Sequence, residues 1–113
     1  MATINQVSPV QTLSATTTAQ KVDRVPSSKS RPYAGFRVSY SGTGEVRFAF
    51  ISPGDTPPTF ASMVTNNDYD FALTSTEPFY PVNVSADVRI YYVTTSGTAT
   101  VQYRDYYTDV APR

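Results

Sequence analysis

The chain has 113 residues, nine basic and nine acidic side chains, zero formal net charge, and no cysteine, histidine or tryptophan. A length near that of one ordinary domain implies a single core. The missing residue types exclude disulfide frameworks, thiolate or Ser-His-Asp nucleophiles and His- or Cys-based zinc sites. The basic residues are spread thinly from Lys21 to Arg113, and only Lys21, Arg24, Lys29 and Arg31 come close together. That pattern speaks against a nucleic-acid surface, which needs clustered positive charge. No apolar run approaches a membrane span and the first residues, MATINQV, carry no secretion signal. Synthesis and assembly in a host cytoplasm, with no membrane association, are the expectation.

Nine Tyr, six Phe and abundant Val and Thr stand against a Leu count of only Leu13 and Leu73. β-Branched and aromatic side chains suit a pleated, half-buried surface, and the nine Pro and five Gly supply breaks. Residues 1–32 are rich in Ser, Thr and Gln and lack aromatics, and they read as an extended N-terminal arm with a first strand near Thr16–Val22. Val7, Val10 and Leu13 are the apolar positions through which such an arm engages a partner. Pro26 and Pro32 bound a polar loop, and the compact β-domain is expected over 33–113.

Within it, Tyr33–Tyr40 alternates with Phe36, Val38 and Tyr40 on one face. Glu45–Ile51 places Val46, Phe48 and Phe50 on one face. With Ser41-Gly42-Thr43-Gly44 between them, the two runs read as a hairpin. Thr59–Val64 reads as an edge strand or one helical turn, Tyr69–Leu73 as a strand, and Glu77–Pro81 as an extended aromatic loop. A second hairpin is expected from Ala86–Val93 and Thr98–Tyr106 around Thr94-Thr95-Ser96-Gly97, with Val88, Ile90, Tyr92, Ala99, Val101 and Tyr103 inward. Arg37 and Arg47 would then lie across the first hairpin, and Arg89 and Arg104 across the second. The fold class is all-β: an antiparallel sandwich or small barrel, jelly-roll-like, with the arm in front.

For chemistry the inventory offers little, and the expectation is that the chain is not an enzyme and has no cofactor. Asn66, Asp68 and Asp70 form a candidate hard-cation loop of oxygen ligands, although an Asx turn accounts for the same residues. Asn83-Val84-Ser85 matches a glycosylation acceptor by chance in a chain with no secretion signal. Phe79, Tyr80, Tyr91 and Tyr107 are read as outward aromatic anchors of an interface. The same aromatics could serve a carbohydrate platform, which the absence of tryptophan disfavours.

The polar arm through Pro32, the aromatic runs Tyr33–Ile51 and Ala86–Tyr106, and the closing TSGTATVQYRDY together resemble small structural proteins of tailed-phage virions. The resemblance implies a capsid decoration or cement subunit, often trimeric, that bridges neighbouring copies of the major capsid protein or another virion protein. A tail, neck or baseplate component is the alternative within that class, and a carbohydrate- or receptor-binding module the alternative outside it. An arm suits the bridging role because an extended segment can add to a neighbour's sheet. On this reading, deleting Met1 to about Ser14 leaves a folded β-domain that has lost most of its binding to the parent assembly.

Overall fold

The computed structural model describes residues 6–24, 30–39, 45–74, 80–82 and 87–108. These form two antiparallel sheets. In the first, β1 (Gln6–Val7) and β2 (Gln11–Ala15) both pair with β9 (Ala99–Thr108), followed by β4 (Ser30–Ser39) and β7 (Tyr80–Val82). In the second, the order is β3 (Gln20–Lys21), β8 (Arg89–Thr94), β5 (Val46–Ile51) and β6 (Phe71–Leu73). The pairings nest: β2 with β9, β3 with β8, β4 with β7, β5 with β6. One long folded ribbon wrapped into a two-sheet sandwich has this connectivity, which is the jelly roll.

Neither expected hairpin exists. β4 and β5 lie in different sheets, as do β8 and β9. A short connection containing glycine, such as Thr95–Thr98 with Gly97 at φ 64°, turns the chain from one sheet to the other instead of back along the same sheet. Alternation and turn chemistry are the same in both cases, and the sequence carries no mark of which sheet the next strand joins. The expected pairs Arg37 with Arg47 and Arg89 with Arg104 fall with the hairpins. The expected turn at 41–44 lies outside the described residues.

The core between the sheets holds Leu13, Ala15, Val22, Val46, Phe48, Phe71, Leu73, Ile90, Tyr92, Ala99, Val101 and Tyr103. The inward assignments of β5, β8 and β9 hold except at Phe50, which is half-buried, and at Val88, which precedes β8, is half-buried and lies outside the core cluster. Phe48 and Phe71 stack with ring centroids 4.7 Å apart. Three of the core residues, Leu13, Ala15 and Val22, come from the expected arm. This part of the chain supplies strands to both sheets, so residue 32 marks no edge of the core.

β5 and β8 are buried on both faces, which explains their nearly unbroken apolar runs. Ala49 and Val93 on the outer face meet Met63, with Ala19, Ile51, Phe60 and Val64 packed around them. Met63 sits on a single helical turn, Ala61–Thr65, within the long β5–β6 connection. Thr59 and Ser62 start the turn by exchanging backbone-to-hydroxyl bonds, Thr59 N–H to Ser62 Oγ at 2.9 Å and Ser62 N–H to Thr59 Oγ1 at 3.2 Å. Arg47 fixes its other end, donating to Glu45 Oε1 at 2.7 Å, the Met63 carbonyl at 3.0 Å and Asn67 Oδ1 at 2.8 Å. Its guanidinium also lies over the Tyr69 ring, 4.4 Å from the centroid. Arg47→Ala is expected to destabilise by about 2 kcal/mol, and Arg47→Lys to recover only part of this because the planar fork is lost. Urea unfolding of the two variants measures both. No helix among the described residues is long and apolar enough to cross a membrane.

Candidate functional site

The site is the outer edge of the first sheet, where β1 and β2 run along β9. Ser8 N–H bonds the Asp105 carbonyl at 2.9 Å, which puts Ser8 opposite Asp105, while Gln11 lies opposite Tyr103. Between those pairs the N-terminal strand carries Pro9 and Val10 where β9 carries only Arg104. This is a β-bulge, a usual place for a proline that cannot donate to a ladder.

Backbone direction alternates along β9. Because Asp105 points its peptide groups at the N-terminal strand, so do Tyr103, Val101 and Ala99. Their partners Gln11, Leu13 and Ala15 therefore bond inward to β9. Thr12 and Ser14 turn their N–H and C=O groups away from it, along the free edge, and both residues are exposed. Among the described residues, β9 is the strand that pairs with β2. Val7 and Val10, 45% and 48% exposed, are the exposed large apolar side chains among the described residues.

A buried polar cluster holds this edge to the sandwich. Asp105 is fully buried and the Arg24 side chain is only 6% exposed, with Arg24 Nη2 3.4 Å from Asp105 Oδ1. Arg24 also donates to Tyr103 Oη at 3.1 Å and to the Val88 carbonyl at 2.8 Å. The Tyr103 hydroxyl donates in turn to Asp105 Oδ1, and Asp105 N–H donates to Ser8 Oγ at 2.8 Å. Gln11 Nε2 donates to the Asp23 carbonyl. The cluster thus ties the strand at Ser8, the chain after β3 at Arg24, the start of β8 and the end of β9.

Burial pushes the Tyr103 phenol well above its ordinary value, with Asp105 adding to the rise and Arg24 opposing it. A phenol whose folded pKa is raised contributes stability that is complete below the unfolded value of about 10. That contribution is lost as pH climbs from there toward the folded value. Tyr92 is shifted the same way by burial. Phenolate absorbance during alkaline titration is expected to rise in more than one stage, with Tyr103 ionising only as the fold is lost. A single smooth stage from a folded protein would contradict this.

The residues expected at an interface separate. Val7 and Val10 are exposed at the edge, whereas Leu13 is buried in the core. Tyr91 is also buried, at 9% exposure, although it points to the face of β8 opposite the core residues Ile90 and Tyr92. Tyr80 pairs with Phe36 in the β7–β4 ladder and Tyr107 with Gln6 in the β1–β9 ladder. Phe79 lies outside the described residues, as does the acceptor pattern at 83–85.

In the candidate cation loop the fold uses two backbone amides and one carboxylate oxygen. Asn66 N–H closes the helical turn on the Ala61 carbonyl, Asp68 N–H bonds the Ser62 carbonyl, and Asp70 Oδ2 accepts from Phe50 N–H at 2.7 Å. Among the described residues no three acidic, His or Cys side chains gather as a metal site. The Ser8–Arg24–Tyr103–Asp105 cluster was missed by sequence reasoning. Its signal was Asp105 at the next inward position of the alternation Ala99, Val101, Tyr103, where a carboxylate requires a buried partner.

No family model matches the sequence, and no curated protein matches it. Among solved structures, the chain is similar to a protein of Bacillus endospore appendages, which form a family of disulfide-linked pili. The TM-score is 0.54, the identity 17%, and 96% of each chain is covered. At that identity the likeness speaks to the fold.

Proposed function

We propose that the chain is a non-enzymatic structural subunit that acts by assembling into a larger protein array. The observation that carries this reading is the edge of β2 that no strand among the described residues covers, where Thr12 and Ser14 direct their peptide groups outward with no charged side chain among residues 1–20 to deter pairing. Sheet edges in monomeric proteins are usually blunted by charge, proline or brevity. Zero net charge works in the same direction, because it removes long-range repulsion between copies.

The array can take two forms. One is a virion shell, with the chain as a decoration subunit bridging capsid proteins, which the style of the sequence supports. The other is a filamentous appendage, which the likeness to a pilus protein favours. Disulfide linkage is not available to this cysteine-free chain, so its joints would be non-covalent. A carbohydrate-binding role draws less support, since Tyr91 is buried on β8.

Sedimentation velocity over a wide concentration range tests the proposal. Species heavier than the 12.4 kDa monomer, growing with concentration or already complete at the lowest, are expected. A monomer at every concentration would contradict self-assembly.

A further inference from the structure

We propose that the free edge of β2 is a seam at which two copies of this chain pair, antiparallel and centred on Leu13. This rests on the assembly reading above and names its surface.

The other edges of the two sheets are blunted. β3 is two residues long and contains Lys21, β6 is three residues long and follows Asp70, and β7 is three residues long with Pro81 at its centre. β1 is two residues long and ends at the Pro9 bulge. β2 is the long edge strand among the described residues, with five residues, QTLSA, and no charge or proline. An open edge of this kind accepts only another extended strand, because only a strand supplies donors and acceptors at the matching spacing.

The identity of the occupant follows from self-complementarity. The outward peptide groups belong to Thr12 and Ser14, placed evenly on either side of Leu13. When a second β2 is laid antiparallel with Leu13 at the two-fold axis, Thr12 of each copy falls opposite Ser14 of the other. In the antiparallel ladder those are the hydrogen-bonded positions, so the two pairs exchange four bonds and leave none of these outward groups unmatched. Thr12 and Ser14 are uncharged, so no like charges meet across the axis, and the two first sheets become one continuous sheet. An isologous seam of this kind closes on itself. The exposed Val7 and Val10 flank it.

The test uses the full chain. Thr12→Pro removes the outward N–H while leaving the bonds of Gln11 and Leu13 to β9 intact, since an edge strand tolerates proline where its N–H faces away from the sheet. The variant is expected to keep its circular dichroism spectrum and to weaken self-association about tenfold or more, the combined effect of one donor lost from each copy. Wild-type protein that associates while Thr12→Pro associates equally well would overturn the seam and leave the assembly reading standing. Wild-type protein that stays monomeric throughout would overturn both.

A second measurement decides the matter should the proline variant fail to fold. In this cysteine-free chain, Thr12→Cys and Ser14→Cys are made separately and mixed under oxidation. Facing residues in the proposed ladder sit about 5.5 Å apart between Cα atoms, within disulfide reach. The mixture is expected to cross-link far more than either variant alone, and a mixture that cross-links no better would overturn the pairing.

Discussion

Deleting residues 1–15 is expected to unfold the protein, leaving no trimmed domain. The deletion removes Leu13 and Ala15 from the core. Loss of a buried leucine alone costs about 2–5 kcal/mol. It also removes the ladder partners of β9 from Tyr103 to Ala99 and the Ser8 bonds to Asp105. Each net hydrogen bond adds about 0.5–1.5 kcal/mol. The sum reaches or exceeds the about 5–15 kcal/mol that holds an ordinary domain folded. In addition, β9 would become an exposed ten-residue edge with charge only at Arg104 and Asp105. Loss of the β-sheet circular dichroism signal, or recovery only in aggregates, is the expected outcome. A soluble truncated domain with a cooperative melting transition would show that the N-terminal strands are dispensable, as an arm would be.

The second large effect is expected at Asp105. Asp105→Leu leaves the Arg24 guanidinium buried against Tyr103 with its carboxylate gone. Breaking one half of a buried ion pair costs about 3–5 kcal/mol, because the remaining charge stays desolvated and uncompensated. The double variant Arg24→Met with Asp105→Leu is expected to regain much of that loss, since an apolar replacement of a whole buried pair is often close to neutral. Denaturant unfolding of the two single variants and the double variant yields the coupling between the residues. A loss below about 1 kcal/mol for Asp105→Leu, well under the buried-pair range, would mean that Arg24 finds water or another partner when the carboxylate goes.

These two expectations mark where local pattern stopped informing the fold. Alternation correctly set the inner faces of β5, β8 and β9, because period two is fixed by the backbone and the core selects the apolar side. The same alternation cannot tell a hairpin from a crossover between facing sheets, and both expected hairpins failed for that reason. Composition misled at the N-terminus. Ser, Thr and Gln dominate residues 1–20, yet an edge strand needs only one inward row, which Leu13 and Ala15 supply. Tyr91 does point away from the core residues Ile90 and Tyr92, as alternation implied, but it is buried on that face, and alternation carries no information about burial of the outer face. Asp105 was legible in principle, as a carboxylate in an inward register, while its partner Arg24 lies 81 residues away in sequence and only the fold unites them.

Amide hydrogen exchange, read residue by residue in dilute and concentrated protein, tests most directly whether the N-terminal strand is both part of the sandwich and its seam. In dilute solution the Leu13 amide is expected to be protected by its bond to Val101, while the Thr12 and Ser14 amides exchange freely. On concentration, Thr12 and Ser14 are expected to gain protection and Leu13 to change little. Thr12 and Ser14 amides that stay open at every concentration, in a chain that otherwise folds as described, would contradict assembly through this edge.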